Sequence, residues 1–147
     1  MEPEILTKKS LQTYVLEDQI GHILRRANQR HTEIFFNMMP PDLTPTRLAA
    51  MAKLLEKGSL SQNELGRMTA MDIATIKGVI DRLRQRKLIQ SKKDPNDARR
   101  QLIELTEKGR KTIEEALPIA REVTAKTVSP ISPAEAEQLV ALLKKIS

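Results

Sequence analysis

The sequence predicts a mainly α-helical protein that carries one small β-wing. Three observations predict it. Apolar residues recur at three-and-four spacing along several long stretches, and Pro, Gly and Ser/Thr/Asp caps punctuate those stretches. A single alternating segment, "QLIEL" (101–105), follows the turn-forming run "DPNDARR" (94–100). The 147 residues suit one domain, 1–147, because a chain of this size leaves little room for two independent cores.

Residues 14 to 36 read as one long helix, with Leu16, Ile20, Ile23, Leu24, Ala27, His31, Ile34 and Phe35 on one face. About 23 residues of helix span roughly 35 Å, a length suited to a scaffold or a dimer element. Pro40 and Pro41 end it. Thr44 then caps, Pro45 presets the first turn, and a second helix runs over 45–57 until Gly58 stops it. Ser61 followed by Glu64 has the spacing of a capping box and opens a short helix with Leu65 inward. Asp72 caps a longer helix over about 73–87, whose apolar stripe is Ile76, Val79, Ile80 and Leu83. A short helix, a tight connection and a longer helix make a helix-turn-helix pattern.

After it, "LIQSKK" (88–93) and "QLIEL" flank a turn of Asp94, Pro95 and Asn96, which gives a two-stranded wing. Thr106 caps a helix over 107 to about 128, in which Pro118 predicts a kink. Ser132 and Pro133 open a last helix, 133–146, carrying Ala136, Leu139, Val140, Leu142, Leu143 and Ile146. The amphipathic segments about 11–37 and 107–147 have no partner inside a winged helix of about 43–106. The economical arrangement pairs them with each other and with a second chain, because symmetric dimers are the commonest closed oligomers. The expected architecture is therefore a winged helix-turn-helix core whose N- and C-terminal helices form a dimerisation lobe.

Charge narrows the function. The chain carries a net +6, and residues 59–100 hold ten Lys/Arg against five Asp/Glu, so +5 of that charge lies in the helix-turn-helix and wing. Such an excess favours a polyanion, since each neutralised phosphate releases counterions; a solvated basic face is the competing account. On the helix over 73–87, Ala74, Thr75, Lys77, Gly78 and Asp81 lie off the apolar stripe and are small or polar, as a helix entering the major groove requires. Arg82, Arg84, Arg86 and Lys87 follow where backbone phosphates would flank the groove, although helix C-terminal charge also favours basic residues there.

No metal is expected, because His22 and His31 stand nine apart and the chain has no Cys, which also excludes disulfides. No cofactor is expected either. With no phosphate-cradling glycine loop and no nucleophile beside a base, an enzyme is not expected. Met1 to Ser10 carries Glu2, Glu4, Lys8 and Lys9, unlike a signal peptide, and no apolar run reaches membrane-spanning length, so a cytoplasmic protein without a membrane partner is expected. A helical adaptor or an RNA-binding module is the alternative to a DNA-binding protein.

"LTPTRLAAM" (43–51), "LSQNELGRM" (60–68), "IATIKGVIDRLRQRKLI" (73–89) and above all "DPNDARRQLIELTEKG" (94–109) resemble the MarR family of bacterial winged helix-turn-helix regulators. The similarity spans about residues 14–146. It implies a homodimer on a pseudo-palindromic double-stranded DNA operator, acting as a repressor released by a small aromatic ligand, or else a constitutive DNA binder without one. By resemblance Ser61, Thr75, Lys77 and Arg82 are groove and phosphate contacts, with Ala74, Gly78 and Arg86 on the same helix. Asp97 and Arg99 keep the family's Asp-x-Arg spacing at the wing tip, where the Asp braces an Arg that enters the minor groove, and Arg100 adds a further cation. The family's ligand lies between its first, second and fifth helices. "LEDQIGHILRRANQRH" (16–31) is similar to the branch answering to aromatic carboxylates or their CoA thioesters, which makes Arg25, Arg26, His31 and Met51 candidate ligand contacts. For Arg25 and Arg26 salt bridges remain open, for His31 a core hydrogen bond, and for Met51 simple core filling.

Overall fold

Residues 13–147 are described by a computed structural model, in which every α-helix after the first begins at a side-chain cap. Residues 11 and 12 of the expected N-terminal dimerisation segment, and Met1 to Ser10, lie outside the described residues. A 3-10 turn, Leu16–Asp18, precedes α1 (Ile20–Met38); α2 (Pro45–Lys57), β1 (Ser59–Leu60), α3 (Gln62–Met68) and α4 (Ile73–Gln85) follow. The chain then forms β2 (Ile89–Asp94), β3 (Asp97–Leu105), α5 (Glu107–Thr127) and α6 (Pro133–Lys145).

Thr44, Asp72 and Thr106 accept bonds from the backbone N–H of Arg47, Thr75 and Gly109, and Ser61 and Ser132 close full capping boxes with Glu64 and Glu135. Each satisfies donors that a helix start leaves without partners.

The helix expected over 14–36 breaks before Ile20. Gln19 is extended, and the Val15 carbonyl accepts both the Asp18 N–H at 3.1 Å and the Gln19 side-chain amide at 2.8 Å, which closes the 3-10 turn instead of continuing an α-helix. The helix expected over 73–87 stops at Gln85. Lys87 takes φ 60°, and the N–H groups of Leu88 and Lys87 bond the carbonyls of Leu83 and Arg84 at 3.0 Å each, a Schellman ending without glycine. Ala70, at φ 55°, ends α3 in the same way.

The wing is larger than the sequence suggested. Three antiparallel strands lie in the order β1-β3-β2, with the two-residue β1 pairing Leu60 with Ile103. Lys93 faces Gln101 while Asp94 faces Asp97, so the register slips and Ala98 to Arg100 bulge from β3 beyond a turn of Pro95 and Asn96. Helix α5 runs through Pro118 as one element.

Leu54, Leu65, Ile80, Leu83, Ile113 and Val123 are among the most deeply buried side chains, and they tie α2, α3, α4 and α5 into one core. In contrast α6 buries none of its residues: Leu139, Val140 and Leu142 are exposed, as are Ile146 just beyond it and Tyr14, Leu16, Ile20 and Ile23 at the start of the chain's described part. No helix among the described residues is long and apolar enough to cross a membrane.

Candidate nucleic-acid interface

Helix α4 buries Ile76, Val79, Ile80 and Leu83, which leaves Ala74, Thr75, Lys77, Gly78 and Arg82 on its exposed side. The cap at Asp72 sets the helix entry: its carboxylate accepts the Thr75 N–H at 2.7 Å, a bond that holds it below the usual carboxylate range. Gly66 lets the two helices of the motif close, since a Cβ there would stand 3.3 Å from the Ile76 side chain and the Met71 carbonyl. A Cβ on Gly78 would meet nothing within 4 Å, so no neighbour within the protomer requires glycine at that position.

Three candidate cations on or beside this face carry internal partners of different strength. Lys77 Nζ lies 3.2 Å from Asp81, an exposed pair of the kind worth about 0–1 kcal/mol and easily exchanged for a phosphate. Arg82 reaches the Gln85 amide oxygen at 3.5 Å, the outer limit of a hydrogen bond. Arg86 differs: its guanidinium is 2.6 Å from Asp42, in the segment before α2, and its carbonyl accepts the Lys108 ammonium at 3.2 Å. Arg86, expected among the phosphate contacts, is thereby tied to the segment before α2 and to the start of α5.

On the wing, the two arginines part company. Arg99 is 95% exposed; its backbone N–H donates to Asp97 at 3.0 Å and its Nε is 3.7 Å from the same oxygen. Asp97 thus fixes the backbone from which Arg99 projects. Arg100 turns inward, pairs with Glu64 on α3 and stands 3.7 Å from Asp94. Expected as a further cation at the wing tip, it links the bulge to the helix-turn-helix.

Glu64 is the residue that sequence reasoning credited only with a capping box. Its carboxylate accepts the Ser61 N–H at 3.1 Å while Ser61 Oγ accepts the Glu64 N–H at 3.2 Å. The Ser61 backbone bond is the main cause holding Glu64 below the usual range, with the Ser61 side chain and the Arg100 charge adding to it. Ser61, the α3 start and the wing are therefore fastened at one carboxylate. Nothing local announces a pairing 36 residues apart.

The candidate ligand contacts are dispersed. Arg25 and Arg26 are exposed on α1, and Met51 is fully buried in the core. His31 Nδ1 is 2.8 Å from Thr127 Oγ1, whose own proton goes to the Val123 carbonyl at 2.8 Å; the histidine nitrogen must therefore be the donor. Beside it Arg30 donates to the carbonyls of Lys126 and Thr127, capping the end of α5. A groove of about 300 Å³ between the α1–α2 segment and α5 is lined by Pro40, Asp42, Leu43, Thr112, Glu115, Ala116 and Ile119, and by none of the four candidates.

Comparison with known proteins agrees with this geometry. Residues 43–100, which run from the segment before α2 to the wing bulge, match the model of the MarR family. The chain is 37% identical to the HTH-type transcriptional repressor NicR of Pseudomonas putida over 90% of this chain and 85% of that protein. A probable transcriptional regulator from Pseudomonas aeruginosa superposes with TM-score 0.88 at 49% identity, over 90% of this chain and 100% of that one. BpsR of Bordetella bronchiseptica, whose DNA binding is regulated by 6-hydroxynicotinic acid, superposes with TM-score 0.87 at 40% identity, over 90% and 96% of the two chains. This chain belongs to the MarR family of transcriptional regulators.

Proposed function

We propose that this chain acts in the cytoplasm as a dimeric, sequence-specific repressor on a pseudo-palindromic operator, and that a small aromatic acid or its CoA thioester releases it. The observation that carries the DNA reading is the pairing of a small-residue, basic face on α4 with Arg99, which is 95% exposed on the adjacent wing. In this reading Ala74, Thr75, Lys77 and Gly78 face the major groove, and Ser61 and Arg82 meet phosphates. Arg99, held by Asp97, enters the minor groove, where negative potential is strongest in narrow A·T-rich stretches. Arg86 and Arg100 act through position, as struts.

The dimer is supported by the apolar residues that α6 and the start of the chain's described part leave exposed. A second copy would cover them and set two α4 helices about one helical turn, roughly 34 Å, apart. The effector reading is supported by similarity to NicR and to BpsR, the second of which answers to 6-hydroxynicotinic acid. On this chain Arg25 or Arg26 would take the carboxylate, with His31 on the core side, while Met51, fully buried, would act only through the packing behind it.

A ligand displaces the protein from DNA only through its preference for dimers with the wrong helix spacing, and moving occupancy from mostly bound to mostly free takes roughly 5 kcal/mol of differential affinity. The test is a gel shift on a duplex selected by the protein, at two salt concentrations, with and without 6-hydroxynicotinic acid or benzoate. Selective binding with a steep salt slope, weakened by an aromatic acid, is expected. Binding that no aromatic acid alters would leave a constitutive DNA binder, and no selective duplex binding would defeat the proposal.

A further inference from the structure

Ile73, the first residue of α4, is 79% exposed, more than any other large apolar side chain among the described residues. It stands three residues before Ile76 and seven before Ile80, so it continues the buried stripe of α4 but overhangs the core at the helix's leading end. There it borders a groove of about 650 Å³ between α3 and α4, shared with Gly66, Arg67, Met71 and Ala74. Met68, at the end of α3, is 46% exposed nearby in sequence.

An isoleucine so placed gains little burial within its own protomer, and the surface around it argues against an apolar protein partner. Arg67, Lys77 and Arg82 are exposed on α3 and α4, and the one acid at this helix start, Asp72, is engaged in capping Thr75. The surrounding charge fits a polyanion, whereas Ile73 itself calls for something apolar. In the major groove of DNA the thymine C5-methyl group is the apolar feature on the base edges, and the N-terminal end of a recognition helix is the part that reaches them.

We propose that Ile73 determines part of the operator sequence by packing on the methyl group of a thymine, once in each half-site, with Ala74 small enough to let the helix end approach. The proposal rests on the placement of α4 in the major groove.

Deoxyuridine in place of thymidine removes only the methyl group, which makes a clean test. A duplex selected from a random library by the wild-type protein is remade with each thymidine replaced in turn, and affinities are measured for wild type and Ile73→Ala. Because Ile73 is exposed, Ile73→Ala should keep the wild-type melting temperature. At one position per half-site, wild-type affinity should fall about fourfold, the worth of one buried methyl group, and the variant's affinity should hardly change. If no thymine matters to the wild type, or Ile73→Ala stays as sensitive as wild type at every thymine, the inference is wrong although α4 can still lie in the groove. If the wild type selects no duplex, the placement of α4 and the inference fall together.

Discussion

Gly78→Ala separates stability from DNA binding. Glycine inside a helix costs about 0.5–1 kcal/mol relative to alanine, because its backbone has more freedom to lose on folding. Gly78 lies within α4, and a Cβ built there would meet nothing within 4 Å, so no steric penalty opposes that gain in the free protein. The variant should be more stable by about that amount, a rise in Tm of about 2–4 °C per kcal/mol for a chain of this size. The same methyl group would stand one turn after Ala74, on the side of α4 proposed to face the groove. An extra methylene in a close-packed contact costs about 1–3 kcal/mol. The dissociation constant should therefore rise about tenfold or more. Thermal melting without DNA and fluorescence anisotropy on a selected duplex, both at fixed protein and salt concentration, read the two effects. A variant that melts higher and binds like wild type would mean that this side of α4 does not press on DNA. A lower Tm would mean that the space around Gly78 is filled in solution.

The other glycine of interest has the opposite sign. A Cβ on Gly109 would lie 1.9 Å from the Leu88 carbonyl oxygen, so Gly109→Ala must push α5 off the base of the wing. Overpacking and damaged backbone bonds should outweigh the helix-propensity gain and destabilise by about 3 kcal/mol, read as a lower urea midpoint. For the wing, Arg99→Ala should weaken DNA binding with no change in Tm. Arg100→Ala and Glu64→Gln should each weaken it by loosening the bulge, and the double variant should be no worse than either; additive losses would show that the two do not act as a pair. Acid should destabilise the fold in a set direction. Glu56, Glu64, Asp72 and Glu135 all have carboxyls lowered below their ordinary values, by Lys53, Ser61, Thr75 and Ser132 respectively as the leading cause. Their contribution is complete above the unfolded carboxylate range, near about pH 4, and is lost as pH falls through the lower folded values. Tm measured against pH should be flat above about pH 5 and fall below about pH 4, with a shallower fall in Glu64→Gln.

The features that could be read from sequence were those whose physics is short-range. Thr44, Ser61, Asp72, Thr106 and Ser132 each bond a residue three positions on, so the cap and its helix are visible in one window. The full burial of Met51, expected as a candidate ligand contact, was not decided by sequence; it follows from Ala50, Met51 and Leu54 sharing the face of α2 that enters the core. The end of α4 was not legible either, since Lys87 in a left-handed conformation gives none of the signal that glycine would. Strand β1 is two residues long and exists only because β3 lies beside it. The ion pairs of Arg86 and Arg100 have the same origin: Asp42 and Glu64 meet them through tertiary structure, and no spacing rule connects such residues.

Helix α5 is fastened at both ends. At its start Gly109 packs on the Leu88 carbonyl and Thr106 donates to the Lys87 carbonyl at 2.7 Å; at its finish Arg30 and His31 hold the last turn. Its 21 residues make a rod of about 30 Å. Rotation by about 5° around the Arg30 end would carry the wing end through about 3 Å, comparable to the spacing of successive base pairs. Because Ile113, Ala116 and Val123 pack in the core between the two fastenings, any such tilt would have to be taken up by the packing of α1 and α2 as well, so the wing base and α1 share one mechanical support.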